Sequence, residues 1–279
     1  MMHGAIDTHA HILDPHRFPY SADAAYRPSG QEIAPVERFL AVLDAHGMAG
    51  GIVVQPTSGY LFENAVTRDA VTRAAGRLRA VVRVDPTRAR SDESLLDIEA
   101  VAGARLDLIG DGTHALDVPG NRRLLAALKE RSKILVVQVE GDQLAAALPA
   151  LLASGVAVCV DHCGRPDPRL GVMQPGFQAL LALGREGHAV KLSGPFRFSR
   201  EAPPYRDAVP FVEALLDVFT PGQCCWGSDW PYLRSAGRQD YGPGLRLLES
   251  WLPDAAARAS VLCDTPRRLF GFSGDSQLR

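Results

Sequence analysis

The sequence lacks the features that mark membrane, secreted and nucleic-acid-binding proteins. No charged segment followed by an apolar stretch opens the chain, so we expect no signal peptide, and no apolar run reaches membrane-spanning length. A net charge of −2 at pH 7 provides no strongly basic surface for nucleic acid or an anionic membrane. Five cysteines, an odd number in 279 residues, favour reduced thiols and a cytoplasmic location over a disulfide framework.

Zinc-ribbon cysteine pairs and a dinucleotide-binding fingerprint are also missing. Cys159 and Cys163 in "CVDHCG" have no second pair at zinc-ribbon spacing, so we expect buried free thiols there. No G-x-G-x-x-G follows the first apolar run, which weakens the case for a dinucleotide-binding sheet. The densest basic run extends from Arg77 to Arg90 and includes Arg83. It is divided among a predicted helix end, a strand and a loop, and we interpret it as solvated surface.

Short apolar runs alternate with amphipathic segments along the chain. The runs are nearly continuous in Val, Ile, Leu and Ala, which is typical of parallel strands buried on both faces. The predicted strands are 4–9, 51–55, 79–84, 105–109, 134–139, 156–161, 189–193 and 223–228. The predicted helices lie near 35–46, 63–75, 92–102, 121–131, 142–154, 175–186, 207–219 and 242–252. Eight such units predict one α/β domain over residues 1–279, a (β/α)8 TIM barrel, with an open doubly wound sheet as the alternative.

Two segments carry expectations of their own. The longest connection, residues 10–34, is rich in Pro, Ser, Asp and Tyr and is predicted to cover the mouth of the barrel. Pro149 lies inside the helix predicted at 142–154, where the missing N–H is expected to kink or restart the helix.

Polar side chains gather at the predicted carboxyl ends of three strands. His9 and His11 follow strand 1, His162 follows strand 6 and Asp229 follows strand 8, whereas His188 lies at the opposite end. Barrel enzymes place their chemistry at the carboxyl rim, and alternate residues of a strand point to one side. Strands 1 and 8 are neighbours in a closed barrel, so we predict that these four rim side chains form one catalytic site. Polar capping of strand ends is the alternative.

With these residues the sequence resembles the amidohydrolase superfamily, within it the branch containing 2-pyrone-4,6-dicarboxylate hydrolase and related sugar and aryl lactonases. The resemblance covers nearly the whole chain. It implies a TIM-barrel hydrolase in which Asp229 takes a proton from water, and a hydrogen-bonded carboxylate can do so. His9, His11 and His162 would polarise a carbonyl oxygen or hold a metal that does. The motifs are "IDTHAHI", "GIVVQPTSGY", "ARLDLIG", "VDHCGRPDP", "GFQALL", "VKLSGPFRFS", "WGSDWP" and "DTPRRLFGF".

The sequence departs from the metal-dependent members of that superfamily at two strands. Strand 5 carries Gln138 where a histidine is expected, and strand 4 has no bridging lysine. A binuclear site is therefore not expected. We predict either catalysis without a cofactor, which the pyrone-hydrolase branch implies and which we prefer, or one divalent ion, zinc, bound by His9, His11 and Asp229.

Arginines and hydroxyls near the rim predict a small anionic substrate. Arg105 in strand 4 and Arg197 after strand 7 match positions that bind substrate carboxylates in the dicarboxylate hydrolase, and a guanidinium binds a carboxylate with two hydrogen bonds. For Arg105 a buried ion pair with Asp107 or Glu140 is the alternative. Further candidates for the pocket wall are Thr57, Tyr60, Tyr26, Gln138 and Trp230.

Three functions remain open. The preferred one is a lactonase that opens a cyclic ester of a small anionic or sugar-derived metabolite. A zinc-dependent decarboxylase of an aromatic or muconate acid uses a similar barrel, but Gln138 argues against it. A degenerate barrel that only binds a metabolite is disfavoured because the rim histidines and Asp229 are retained. The expected partner is a small molecule rather than nucleic acid or a membrane, and a homo-oligomer is left open.

Overall fold

Eight parallel strands form one sheet in chain order, β1 to β8, in the computed structural model of the chain. The structure describes residues 4–272, so His3 and both chain ends lie outside the described part. The strands are β1 Ile6–Ala10, β2 Gly50–Val54, β3 Leu78–Val82, β4 Val101–Asp107, β5 Ile134–Gln138, β6 Val158–Val160, β7 Ala189–Lys191 and β8 Cys224–Cys225.

Helices lie between the strands and after the last of them. They are α1 Val36–Ala45, α2 Thr57–Tyr60, α3 Ala65–Arg73, α4 Ala89–Asp92, α5 Leu108–Asp111, α6 Pro119–Glu130, α7 Gln143–Ser154, α8 Pro175–Arg185, α9 Val209–Val218, α10 Tyr241–Trp251, α11 Ala255–Ala259 and α12 Thr265–Phe270. Within residues 4–272, no helix combines the length and the apolar character needed to cross a bilayer.

Backbone hydrogen bonds join β1 to the segment that follows β8. The N–H of His11 donates to the carbonyl of Trp230 at 2.8 Å, and the N–H of Asp229 donates to the carbonyl of His9 at 2.8 Å. These bonds bring the first and last strands together. The (β/α)8 prediction is therefore confirmed, and the open-sheet alternative is wrong.

The interior of the barrel is apolar at one end and polar at the other. Phe270 of α12 packs with an apolar cluster contributed by the strands. Buried polar side chains occupy the carboxyl end, so the core beneath them supports the site. The strand residues of the apolar cluster include Ile6, Ile52, Val54, Val81, Ile134 and Val136.

Two helices, the ends of several strands and one surface assignment differ from prediction. β4 begins at Val101, and the helix predicted at 92–102 is replaced by α4 and a short 3-10 turn, because the apolar positions there are too few to hold a long helix against the barrel. α7 continues through Pro149, which is exposed, so water can bond to the carbonyl left without a partner. Arg83, predicted as surface, is 2% exposed and pairs with Asp111 at 2.7 Å.

The expectation of buried thiols in "CVDHCG" is confirmed. Cys159 and Cys163 are both fully buried and form no disulfide. Cys163 contributes its sulfur to the apolar layer between strands and helices. Neither residue belongs to a cluster of cysteines with metal-ligand geometry among residues 4–272.

Candidate active site

Four side chains predicted to form one site converge at the carboxyl end of the barrel. Nε2 of His9 lies 3.4 Å from Nε2 of His11, and these two nitrogens lie 3.8 and 3.6 Å from Oδ1 of Asp229. Nε2 of His162 lies 3.6 Å from Oδ2 of the same carboxylate. All four residues are at most 5% exposed. Asp229 is thus at the centre of three imidazoles.

Left-handed backbone conformations orient the side chains of Asp229 and His162 toward the site. Asp229 has a φ of 61° and His162 a φ of 51°, which non-glycine residues adopt only at an energetic cost. Gly194 also has a positive φ, of 58°, and a Cβ there would lie 2.7 Å from Nδ1 of His162. Only glycine allows the strand 7 exit to pass this close to the imidazole.

Asp7 fastens β1 to the loop that carries Asp229, a role that the sequence analysis missed. Its carboxylate accepts hydrogen bonds from the backbone N–H of Ser228 at 2.9 Å, the hydroxyl of Ser228 at 2.6 Å and the hydroxyl of Tyr241 at 3.0 Å. Burial raises the pKa of Asp7 to about 6 although these bonds oppose it. A carboxylate inside the apolar first strand was the signal that could have revealed it.

Burial keeps the histidines neutral at pH 7. It lowers the pKa of His11 to about 4 and that of His162 to about 4, outweighing the opposite effect of Asp229 on both. Nδ1 of His11 lies 2.8 Å from the carbonyl oxygen of Val54, which can only accept. The ring proton of His11 is therefore on Nδ1, and Nε2 presents a lone pair to Asp229.

Arg197, predicted to bind substrate, contacts Asp229 in this structure. Its Nε donates to Oδ2 of Asp229 at 2.6 Å, and its Nη1 donates to the carbonyl of Leu233 at 2.6 Å. Burial acts to raise the pKa of Asp229, but Arg197 and the surrounding imidazoles outweigh it and hold that pKa well below its usual range. The carboxylate is ionised, and its basicity is reduced while Arg197 stays in place.

A second charged layer lies directly beneath His9. Lys191 on β7 and Asp161 after β6 are fully buried, with Nζ 3.0 Å from Oδ1. Arg105 approaches the other oxygen of Asp161 at 3.4 Å. Burial opposes both charges, yet the ion pair lowers the pKa of Asp161 and raises the pKa of Lys191. The sequence analysis missed Lys191, although a lysine in a short buried strand was a visible signal.

The donor atoms of His9, His11 and Asp229 have the right separations to bind one divalent ion. Separations of 3.4 to 3.8 Å among the donor atoms of His9, His11 and Asp229 are close to the edge of roughly 3.3–3.6 Å that tetrahedral coordination with bonds of about 2.0–2.2 Å requires. The lone pair of His11 also points at this position. His9, Asp161 and His162 form a second group of nearby donors, but the ammonium of Lys191 lies 3.0 Å from Asp161. That charge disfavours a second cation.

A cavity of about 450 Å³ opens above Asp229 and is lined by five of the seven residues predicted to bind substrate or form its wall. Tyr26 reaches it from the long first loop, in agreement with the predicted cover over the barrel mouth. The hydroxyl of Thr57 donates to Asp107 at 3.0 Å and accepts from Arg83 at 3.1 Å, so two of its hydrogen bonds are already made. The predicted residues that line the cavity are Tyr26, Thr57, Arg105, Gln138 and Arg197.

Three expectations about the wall need correction. The hydroxyl of Tyr60 accepts from the backbone N–H of Asp14 at 3.1 Å and packs in the core. Trp230 stacks on Phe39 of α1, with ring centroids 5.2 Å apart, because the chain turns outward after Asp229. The ion-pair partner of Arg105 is Asp161 rather than Asp107 or Glu140. In addition, Arg105 donates to Gln138, its neighbour on β5.

Two further arginines line the cavity and were missed. Arg165 follows His162 in "DHCGRP", and its Nε is buried without a hydrogen-bond partner among the described residues. Arg234 lies over the ring of Tyr26 at 5.0 Å. With Arg105 and Arg197 they place four guanidinium groups around one cavity. Arg165 could have been identified from the sequence because it follows a strand end. Arg234 could not, because it lies in an irregular loop.

The chain matches the protein family described as "Amidohydrolase" over residues 6–272, nearly its whole length. The chain belongs to the amidohydrolase family. It is 33% identical to a 4-sulfomuconolactone hydrolase from Rhizobium radiobacter, over 96% of this chain and 90% of that protein. It is 29% identical to a 2-pyrone-4,6-dicarboxylate hydrolase from Comamonas testosteroni, over the same shares. The predicted family is therefore confirmed.

Solved structures of amidohydrolases share this barrel. A probable 2-pyrone-4,6-dicarboxylic acid hydrolase from Acinetobacter baumannii with citric acid bound superposes with a TM-score of 0.87 at 26% identity, covering 96% of this chain and 100% of that one. A 5-carboxyvanillate decarboxylase from Sphingomonas paucimobilis has a TM-score of 0.65 at 13% identity. The second likeness extends to the fold alone.

Proposed function

We propose that this protein is a lactonase that hydrolyses the cyclic ester of a small lactone carrying two anionic groups. The observation that carries the proposal is that four guanidinium groups line the same cavity as Asp229. Guanidinium groups bind carboxylates and sulfonates through paired, charge-assisted hydrogen bonds. The names of the curated relatives, a sulfonated muconolactone hydrolase and a pyrone dicarboxylate hydrolase, support an anionic lactone.

In the proposed reaction, Asp229 takes a proton from the attacking water, whose oxygen bonds to the carbonyl carbon. The ring C–O bond then breaks, and the proton held by Asp229 passes to the leaving oxygen. Arg197 first has to leave Asp229, and a substrate anion is the group that draws it away. Once the 2.6 Å contact is broken, the carboxylate loses the charge that most depresses its pKa and becomes a stronger base. Anion binding and activation of Asp229 are thus coupled, which favours hydrolysis only when the correct substrate is bound.

The histidines orient the attacking water and polarise the ester carbonyl in different ways. His162, held by the hydroxyl of Ser193 at 2.9 Å, faces the second oxygen of Asp229 and orients the water. With its proton on Nε2, His9 can donate a hydrogen bond to the carbonyl oxygen, whereas His11 presents a lone pair at Nε2 and acts on that oxygen only through a bound ion. A single divalent ion held by His9, His11 and Asp229 would supply Lewis-acid polarisation of that oxygen.

We further propose that residues 1–279 form one catalytic domain that works in the cytoplasm on a small molecule. The match to the family over residues 6–272 and the buried thiols support this. A decarboxylase is disfavoured because β5 ends in Gln138 rather than a histidine, so that strand provides no imidazole ligand for an ion.

A panel of lactones and aromatic acids tests the proposed function. The purified protein is incubated with lactones bearing zero, one or two anionic groups, with and without a chelator, while acid release and carbon dioxide release are measured. We expect acid release that is fastest for dianionic lactones. Carbon dioxide release from an aromatic acid, with no acid release from any lactone, would replace the lactonase by the decarboxylase.

A further inference from the structure

Two opposite charges compete for one ring nitrogen of His9. Nδ1 lies 3.1 Å from the ammonium of Lys191 and 3.2 Å from the carboxylate of Asp161. All three side chains are fully buried. An ammonium only donates hydrogen bonds and an ionised carboxylate only accepts them. Nδ1 can therefore accept from Lys191 or donate to Asp161, but it cannot do both.

This choice decides what His9 presents to the cavity. A neutral imidazole carries its proton on one nitrogen only. If Nδ1 accepts from Lys191, Nε2 carries the proton and points an N–H at the reacting group. If Nδ1 donates to Asp161, Nε2 presents a lone pair. The first form suits a hydrogen bond to a carbonyl oxygen, and the second suits a metal ion.

Each tautomer of His9 has suitable partners for its Nε2 atom on the cavity side. With the proton on Nε2, His9 can donate to Nε2 of His11 at 3.4 Å, because the proton of His11 is already used on Val54. Lys191, His9 and His11 then form one continuous chain of hydrogen bonds. With the lone pair on Nε2, His9, His11 and Asp229 all point electron pairs at one position, which suits a cation because a water has only two hydrogens to donate to them.

We propose that Lys191 and Asp161 are positioning residues that allow His9 to adopt both tautomers. Lys191 holds the Nε2–H form when no ion is present, and Asp161 holds the Nδ1–H form when a divalent ion is bound. The ring loses one proton at Nε2 and gains one at Nδ1, so its charge does not change. The inference rests on the proposed function only in that His9 faces the reacting carbonyl.

Nitrogen NMR of the full-length protein reads the tautomer directly. Protein labelled with ¹⁵N-histidine is freed of metal, and long-range ¹H–¹⁵N correlation spectra are recorded before and after one equivalent of zinc. We expect His9 to carry its proton on Nε2 without zinc and on Nδ1 with zinc. Protonation of Nδ1 in the metal-free protein, the same tautomer in both samples, or no zinc uptake would each overturn the proposal.

Variants of the two partners are expected to act in opposite directions. Lys191→Met should move the proton of His9 to Nδ1 even without zinc and should raise zinc affinity. Lys191→Gln retains an N–H donor and should keep more of the Nε2–H form than Lys191→Met. Asp161→Asn should lower zinc affinity by about 10–100-fold, as losses of such supporting partners typically do. If both methionine and glutamine give the wild-type tautomer, Lys191 has no such role.

Ser193→Ala provides a matched control. It removes the 2.9 Å contact to Nδ1 of His162, a histidine of the same site, without touching His9. The spectrum of His162 should change while that of His9 stays as in the wild type, and a change at His9 would mean that the tautomer follows general loosening of the site. Since no turnover is measured, failure to hydrolyse lactones would refute the proposed function and leave this result standing.

Discussion

Asp229 lies at the centre of the site, and the groups around its carboxylate make it a weaker base. Three imidazoles and one guanidinium surround its carboxylate, and the contact to Arg197 at 2.6 Å is the shortest of them. Arg197 and the imidazoles lower the pKa of Asp229 well below its usual range, so the carboxylate is ionised at neutral pH. Its use as a base therefore depends on a substrate that displaces Arg197.

Replacing Asp229 with Asn removes the proton acceptor and keeps the shape of the side chain. We expect turnover of the best lactone to fall by at least roughly a hundredfold, the usual scale for losing a general base, while KM changes little. His188→Ala, at the opposite end of the barrel, should leave turnover nearly unchanged. Steady-state kinetics of both variants give the answer, and near-normal turnover in Asp229→Asn would refute the mechanism.

Nε of Arg165 has no hydrogen-bond partner among the described residues, while its Nη2 lies 3.4 Å from Glu140. Arg165→Met should raise KM for a dianionic lactone by roughly 10–100-fold, since a hydrogen bond to a charged group contributes about 1.5–3 kcal/mol. A lactone with one anionic group should be affected less. Arg169→Met, in the same loop but exposed and paired with Asp167, is the control. Equal KM changes in the two variants would show that Arg165 does not contact the substrate.

At the scale of elements, the site depends on how closely β1 approaches the loop after β8. A Cβ at Gly227 would lie 2.6 Å from Cβ of His9, nearer than real side chains come. Gly227→Ala should therefore displace His9, lower turnover and reduce the free energy of unfolding by about 1–3 kcal/mol, the usual cost of overpacking.

Gly237→Ala is the control for that substitution, because nothing lies within 4 Å of the Cβ that it would add. Urea unfolding and lactone turnover are measured for both variants. An unchanged unfolding midpoint in Gly227→Ala would mean that β1 can move away without cost.

His188, just before the start of β7, contributes to the loss of stability that the protein undergoes in acid. Nδ1 of His188 accepts from the backbone N–H of Val158 at 3.3 Å, and burial lowers the pKa of His188. A lowered folded-state pKa means that the unfolded chain binds the proton more readily, so this contribution to stability is present above the unfolded value of about 6.5 and is lost as pH falls. His188→Gln should therefore lose less unfolding free energy than the wild type between pH 7.5 and 5.

Denaturant unfolding at the two pH values measures that difference. His114→Gln, which replaces an exposed histidine, should behave as the wild type. If His188→Gln loses more unfolding free energy than the wild type as the pH falls, His188 does not lower the stability of the folded chain in acid.

At the scale of the whole molecule, the barrel offers room for one ion. Elemental analysis of the purified chain after zinc loading should give at most one equivalent, and zinc should raise the thermal midpoint because it binds only the folded chain. His9→Ala should lose that rise, whereas His188→Ala should keep it. Two equivalents of zinc per chain would contradict the prediction, based on the missing ligands in β4 and β5, that the site is not binuclear.

The sequence by itself determined the barrel and the members of its rim. Alternating apolar runs and helical periodicity led to eight strands, and the exits of strands 1, 6 and 8 identified His9, His11, His162 and Asp229. These inferences hold because strand direction and side-chain alternation are local consequences of backbone geometry. The start of β4 was placed four residues late, since a few apolar positions fit a helix or a strand equally well.

Only the tertiary structure decided which charges meet. Arg197 lies on Asp229, Lys191 lies under His9 and Arg234 reaches the cavity from an irregular loop, and each pairing joins segments far apart in the chain. Trp230 likewise turns to α1 instead of the pocket. Such contacts depend on the relative placement of strands around the barrel and on loop paths after them, for which a single sequence holds no periodic signal.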